Sequence, residues 1–135
     1  MTNEAKLLVE THIPISFIVA DAAIAKGAIC KMSDNMTAAL SDGDADVVAG
    51  IAKGEKISGD GKLRHGMYRG GIFRVIASGS ITVGDALMTA GATGGANYVA
   101  TAAADSNNLL GIALESVSTG ETLRMELNPA ANKSS

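Results

Sequence analysis

Short runs of β-branched and other apolar residues, separated by turns rich in glycine and aspartate, recur along the whole chain. The clearest run is Gly71 to Ser78, and Glu121 to Leu127 alternates polar and apolar side chains as a half-buried strand does. Six glycines between positions 54 and 71 make a helix interior unfavourable in the middle of the chain. The pattern predicts an all-β chain, with further strands at 15–20, 28–32, 47–52, 81–83, 97–101 and 109–114 and a turn-rich segment at 34–46.

The order Ile-x-x-Gly followed by Gly-Ile-Ala occurs twice. Ile24 to Gly27 precedes Gly50 to Ala52, and Ile81 to Gly84 precedes Gly111 to Ala113. The two glycines are 23 residues apart in the first copy and 27 in the second, a difference that one loop insertion explains. We therefore predict two related halves, with close backbone approach or a bulge at Gly50. The predicted segments are an N-terminal arm at 1–14, a β-domain at 15–127 with repeats at about 20–60 and 77–127, and a polar C-terminal tail at 128–135.

The core implied by this pattern contains few rings. Of the 135 residues, 47% are hydrophobic but only 3% are aromatic, and there is no Trp. One aromatic side chain buries roughly 150–250 Å². A single domain filled by Ala, Val, Ile, Leu and Met therefore needs a thin core, closely spaced strands or completion by other subunits. We favour completion by subunits.

Charge and cysteine content disfavour several classes of partner and location. The net charge of -3 and the pI near 5.2 argue against nucleic acid, whose phosphates select basic surfaces. Cys30 is the only cysteine, so no intramolecular disulfide can form, and we expect a buried thiol. No apolar run approaches the roughly 20 residues that span a bilayer, and the first residues lack the basic start of a secretory signal. We expect a soluble intracellular product without a membrane partner.

Two ligand-binding patterns are incomplete. Asp42, Asp44 and Asp46 occupy the first, third and fifth positions of a calcium loop, but the sixth and twelfth positions lack the required Gly and Glu. Residues 54–59 have the glycine spacing of a phosphate loop, yet Asp60 stands where the phosphate-binding Lys is required. We interpret both segments as solvated turns.

No reaction centre emerges from the remaining polar residues. His12 and His65 are the only histidines, and neither lies in a metal-binding or catalytic-triad spacing. Paired-carboxylate catalysis requires two acidic side chains to converge in the fold. Nothing ranks the four candidates for it above ordinary surface charges: Asp21, Asp85, Glu115 and Glu121. We predict no catalytic residue, no metal ion and no cofactor.

Positive charge is gathered just before and within the strongest strand, although the chain is acidic overall. Tyr, Met and Arg are enriched in protein interfaces, so this basic segment suits a protein contact, with a solvated loop as the alternative. The arm carries apolar residues that either pack on its own domain or reach a neighbouring molecule. The predicted contact residues are Leu7, Leu8, Ile13, Pro14, Lys62, Arg64, Tyr68, Arg69 and Arg74.

Six short segments follow one another in a fixed order. They are Ile24 to Cys30, Val48 to Ala52, Gly71 to Val75, Ile81 to Leu87, Leu110 to Glu115 and Thr119 to Met125. This order, spread over residues 15–127, resembles the capsid decoration, or cement, proteins of tailed bacteriophages. Its motifs are glycine turns between small-residue strands, so the order of the elements carries the resemblance.

The resemblance implies a compact β-barrel or β-tulip-like domain, commonly a homotrimer, on the outer surface of an icosahedral head. There such a protein binds neighbouring subunits of the major capsid protein and stabilises the expanded capsid. It is a structural virion protein, made in the host cytoplasm, and it needs no active site. An N-terminal arm often supplies part of the capsid contact in this family, which would be the role of residues 1–14.

Two alternatives from other functional classes stay open. The glycine loops could form the rim of a pocket in a small-molecule or carbohydrate-binding β-domain. An enzyme with a site between subunits, to which Asp85 or His65 contributes, is the second alternative. A specific soluble ligand would favour the first, and turnover abolished by single substitutions would favour the second.

Overall fold

The computed structural model describes residues 4–11, 13–102 and 108–129. His12, the first three residues of the arm and residues 130–135 of the predicted tail lie outside these ranges. Within them the chain forms eleven strands and no helix. The strands are β1 (Lys6–Val9), β2 (Ile15–Val19), β3 (Ile29–Asp34), β4 (Thr37–Leu40), β5 (Val48–Ala52), β6 (Arg64–Tyr68), β7 (Gly71–Ala77), β8 (Ala86–Thr89), β9 (Tyr98–Thr101), β10 (Gly111–Ala113) and β11 (Thr122–Leu127).

Strands β2 to β6 and strands β7 to β11 each close into a five-stranded barrel with the same connectivity. In each barrel the first strand pairs in parallel with the third and antiparallel with the fifth. The second strand pairs with the third and the fourth, and the fourth pairs with the fifth. The prediction of an all-β barrel fold with two related halves is therefore confirmed.

The repeated glycine turns occupy the same place in both barrels. The Gly27 amide donates a hydrogen bond to the Ala52 carbonyl oxygen at 3.0 Å, and the Gly84 amide donates to the Ala113 carbonyl oxygen at 2.8 Å. Ile24 forms an isolated bridge with Lys56, and Ile81 forms the matching bridge with Val117. The recurring Ile-x-x-Gly and Gly-Ile-Ala motifs thus hold the second and fourth strands of each barrel in one register.

Gly50 and Gly111 are points of close approach between the fourth and fifth strands. A Cβ atom at Gly50 would collide with the Tyr68 carbonyl oxygen, and one at Gly111 would collide with the Glu126 carbonyl oxygen. The β3–β5 register also shifts opposite Gly50, so this position combines the close approach and the bulge that the sequence predicted. Closely spaced strands were one of the three expected ways to fill a ring-poor core.

The two barrels share a hydrophobic core. Strand β5 is buried along its whole length, because Ala49 and Ala52 face the interior of the first barrel while Val48 and Ile51 pack against the second. A strand buried on both faces reads as an uninterrupted apolar run, which is what residues 47–52 show. The Tyr68 ring also contacts the Phe73 ring across the link between barrels, with centroids 5.8 Å apart.

Polar groups also connect the barrels. The buried Ile29 amide of β3 donates to Oδ1 of Asn97, which precedes β9, at 2.8 Å. The acidic turn of the first barrel lies on the second barrel, where the Ala45 amide donates to the Thr89 carbonyl oxygen at 2.9 Å. These bonds satisfy backbone groups that the barrel contact removes from water.

Two local predictions differ from the structure. The segment at 34–46 contains strand β4 as well as turns. Residues 81–83 form only the single bridge at Ile81, and the following strand begins at Ala86, because Asp85 accepts the Thr82 amide and closes a turn. Turn chemistry at Asp85 outweighs the local apolar pattern there.

The arm forms strand β1, which pairs antiparallel with β7. Of the two alternatives for its apolar residues, this strand follows packing on the chain's own domain.

Candidate contact surface

The described arm residues lie on the chain's own barrels. The half-buried Leu7 packs against the shared core, and the Ala5 amide donates to the Gly27 carbonyl oxygen at 3.0 Å. Pro14 is half-buried, while Leu8 is 36% exposed and Ile13 is 86% exposed. Leu8 and Ile13 are therefore the predicted arm residues whose side chains remain available for contact with another molecule. That contact stays a prediction.

The predicted basic contact residues do not form one patch. Lys62 and Arg64 are exposed on the first barrel, where Nε of Arg64 donates to Oγ of Ser16 at 3.0 Å. Arg74 is exposed on β7 of the second barrel. The three charges belong to two separate sheets, so the sequence cluster is divided between the barrels.

Tyr68 and Arg69 are held by the chain itself. Tyr68 is only 8% exposed, because its ring packs in the shared core. The Arg69 guanidinium donates to the carbonyl oxygens of Val48 and Ala49 at 3.2 and 2.8 Å, and burial lowers its pKa. In the single chain Tyr68 therefore offers little surface to a partner, whereas Arg69 is half-buried and its guanidinium is already bonded to β5.

A row of cations crosses the outer face of the second barrel. Lys6 on β1 lies opposite Arg74 on β7, and Arg74 lies opposite Arg124 on β11. Arg124 forms an ion pair with Glu115 at 2.9 Å, which lowers the pKa of that carboxyl group. Lys6 and Arg124 are far apart in sequence and were not predicted as contact residues, because strand register alone places them beside Arg74.

A shallow groove of about 460 Å³ lies beside these cations. Its walls come from strands β1, β7 and β11 and from Leu114, the residue after β10. It is lined by Leu8, Val9, Ile72, Arg74, Leu114 and Arg124. Because Leu8, Val9 and Leu114 are 36%, 48% and 38% exposed, the groove presents aliphatic surface next to positive charge.

Lys56 is a buried cation in the first barrel. Its side chain is 0% exposed, and Nζ lies 2.9 Å from Oδ1 of Asp21 and 2.9 Å from Oδ1 of Asp60. Burial lowers the pKa of Lys56, but the hydrogen bonds and negative charges of the two carboxylates outweigh it, so the pKa is raised. For Asp60, the Lys62 amide and then the Lys56 ammonium lower the pKa to about 2. The triad is a structural ion cluster that holds the cation charged.

The sequence contained a signal for this cluster. Aligning the two copies on Gly-Ile-Ala places Lys56 opposite Val117, which is a partly buried apolar residue of the second barrel. A lysine at a position that is apolar in the other copy indicates a buried charge that requires partners.

The acidic turn at 42–46 stabilises the contact between the barrels. Asp42 forms an ion pair with Lys31 at 2.9 Å, and Asp44 accepts hydrogen bonds from the amide and hydroxyl of Thr93. Asp46 accepts from the Ser41 hydroxyl at 2.8 Å and from the Gly43 amide at 3.0 Å. The three carboxylates are therefore directed to separate partners within the chain.

The other candidate catalytic groups are also dispersed. Asp85 accepts from the Thr82 amide at 3.0 Å, Glu121 accepts from the Ser118 amide at 2.7 Å, and His65 Nε2 lies 2.6 Å from the Gly54 carbonyl oxygen. Within residues 4–11, 13–102 and 108–129, no three His, Cys, Asp or Glu side chains are grouped as metal ligands. No helix in the same ranges is long and apolar enough to cross a membrane.

No protein-family model matches the chain, and no curated protein matches it. Its fold is similar to that in the crystal structure of the head fiber gp8.5 N base in bacteriophage phi29, with a TM-score of 0.56 and 17% sequence identity. The alignment covers 91% of this chain and 98% of that chain. The residues of this chain left out of the alignment are fewer than those of either barrel, so the structural similarity extends over both barrels. At this identity it establishes a shared fold.

Proposed function

We propose that this chain is a structural protein of a bacteriophage head that binds the outer surface of the shell and bridges neighbouring major capsid subunits. The observation that carries the proposal is the fold likeness to the head fiber gp8.5 N base, which extends over both barrels. The ordered glycine-turn motifs, which resemble those of capsid decoration proteins, point independently to the same class.

The proposed mechanism depends on contact area and needs no catalysis. When a protein binds two or more shell subunits, the first contact holds its remaining contact sites close to theirs, at high effective concentration. Individually weak contacts then keep the protein firmly on the shell. If the chain binds the expanded lattice better than the unexpanded one, it stabilises the expanded lattice by mass action. A homotrimer would multiply these contacts threefold.

The dispersed charges support this proposal over a catalytic one. Asp21, Asp85 and Glu115 each have separate hydrogen-bond or ion-pair partners, and these partners stabilise turns and strands. A catalytic pair requires two groups directed at one reacting atom. The exposed residues Leu8, Ile13, Lys62, Arg64 and Arg74 are proposed to divide the capsid and trimer contacts between them.

Cosedimentation with shells tests the proposal. We expect the purified chain to pellet with expanded heads that were assembled without it, and to pellet less with unexpanded procapsids or free coat subunits. Heads carrying the chain are expected to release their contents at a higher temperature than bare heads, and light scattering should report the mass of a trimer. Equal stability of bare and decorated heads would contradict the cementing role.

A further inference from the structure

Three positive side chains stand in direct register on adjacent strands of the second barrel. The β1–β7 register places Lys6 opposite Arg74, and the β7–β11 register places Arg74 opposite Arg124. All three side chains are exposed. Like charges directly opposite each other destabilise a sheet, so this row opposes the stability of the fold.

The row is only partly neutralised by the chain. Arg124 has the Glu115 carboxylate at 2.9 Å, whereas Lys6 and Arg74 form no ion pair or side-chain hydrogen bond within the described ranges. Glu126, opposite Ile72, is a further carboxylate on this face. The chain carries a net charge of -3, so an excess of basic residues does not explain the row. Carboxylates from another molecule would relieve the repulsion.

The adjoining groove indicates what kind of molecule supplies them. Leu8, Val9, Ile72 and Leu114 give it an aliphatic floor and rim, and no aromatic ring lines it. Single-stranded nucleic acid typically stacks its bases on aromatic side chains, and the acidic chain would repel a phosphate backbone. An extended peptide that alternates acidic and aliphatic side chains matches both the cations and the apolar surface.

We propose that this groove, which Arg74 and Arg124 line and beside which Lys6 stands next in register, docks an extended acidic segment of the head shell. The inference rests on the proposed function and specifies the chemistry of the partner. The residue before β1 is already tied to the first barrel, where the Ala5 amide donates to the Gly27 carbonyl oxygen, so the outward face that carries the groove receives the segment. The docked carboxylates would lie against Lys6 and Arg74, and aliphatic side chains would cover Leu8 and Val9.

Charge reversal at the centre of the row tests the docking site. Arg74→Glu should weaken binding to expanded heads about tenfold at low salt, because it places a negative charge where the acidic segment binds. Lys53→Glu is the matched control, since Lys53 is exposed on the first barrel and its reversal changes the net charge equally. Binding of the unchanged chain should also weaken as salt is raised from about 0.05 to about 0.5 M, a range chosen to shorten the Debye length severalfold.

The isolated protein supplies a second readout. Arg74→Glu replaces two like-charge pairs, with Lys6 and Arg124, by opposite-charge pairs, while adding repulsion from Glu115 and from the more distant, diagonal Glu126. The thermal midpoint of the isolated chain should therefore rise by a few degrees while its head binding falls. A role in folding alone would lower the midpoint together with binding.

The outcomes separate the two proposals. If the unchanged chain binds expanded heads and Arg74→Glu binds equally well, the docking site is wrong and the head function stands. If Arg74→Glu and Lys53→Glu weaken binding equally, net charge explains the effect and the docking site is again wrong. If the unchanged chain does not bind heads at all, both proposals fail. Loss of binding restricted to Arg74→Glu supports the inference.

Discussion

Replacing Asn97 by Ala tests whether the two barrels unfold as one unit. Oδ1 of Asn97 accepts the Ile29 amide at 2.8 Å, and this bond joins the second barrel to β3 of the first. Asn97 is 6% exposed and has a φ of 66°, in the left-handed region that asparagine tolerates better than alanine. The substitution therefore removes a buried acceptor and introduces backbone strain.

The expected cost follows from these two effects. A buried donor left without its partner costs about 1–3 kcal/mol, and an alanine in the left-handed region costs about 1 kcal/mol. The free energy of unfolding should fall by about 2–4 kcal/mol for Asn97→Ala. For a chain of this length, that corresponds to a decrease of roughly 10 °C in the thermal midpoint.

Urea unfolding followed by circular dichroism and by Tyr fluorescence measures the effect. Asn97→Gly should be about 1 kcal/mol more stable than Asn97→Ala, because glycine relieves the strain without restoring the acceptor. Met36→Ala is the control, since Met36 has a φ of 47° but is 48% exposed and loses no buried hydrogen bond. It should stay within about 0.5 kcal/mol of the unchanged chain.

Because the barrels share a core, both probes should follow one transition at every protein concentration. Two separated transitions, with Asn97→Ala shifting one of them alone, would refute the idea that the contact couples the barrels. A loss below about 0.5 kcal/mol for Asn97→Ala would refute the assigned role of the buried hydrogen bond.

Three further predictions concern strand spacing, acid stability and the single thiol. Gly111→Ala should lower the free energy of unfolding by at least about 2 kcal/mol in urea titrations, because the added Cβ meets the Glu126 carbonyl oxygen. Gly54→Ala is the control, since a Cβ at Gly54 meets open space and should change the free energy of unfolding little. The folded-state pKa of Asp60 is about 2, below its ordinary 3.8. The ionised Asp60 carboxylate therefore adds to the free energy of unfolding above about pH 4, and this stabilisation is lost as the pH falls towards 2. Asp60→Asn should flatten the dependence of unfolding free energy on pH over that window, and an unchanged slope would contradict the ion cluster. Burial raises the pKa of the Cys30 thiol to about 12. An aromatic disulfide reagent at about pH 8 should therefore label Cys30 only as fast as the chain unfolds. Rapid labelling of the native chain would rule out the buried position.

Local patterns were sufficient for the fold class and the duplication. Turn glycines such as Gly27 and Gly84 and the Gly-Ile-Ala segments act within a few residues, so their recurrence is visible without a structure. Close approach at Gly50 was predictable for the same reason, because a glycine inside an apolar strand typically marks a bulge or a close contact with neighbouring backbone. The head-surface function came from the order of these motifs and remains a proposal.

By itself, the sequence determined that the chain is all-β and built from two related halves, because strand alternation and glycine turns are properties of neighbouring residues. Only the tertiary structure decided which distant residues meet. Pairing across strands placed Lys6 and Arg124 beside Arg74, buried Tyr68, and enclosed Lys56 between two carboxylates. Register, closure of each barrel and contact between barrels are set by the summed packing of many side chains, and no local pattern along the chain encodes such a sum.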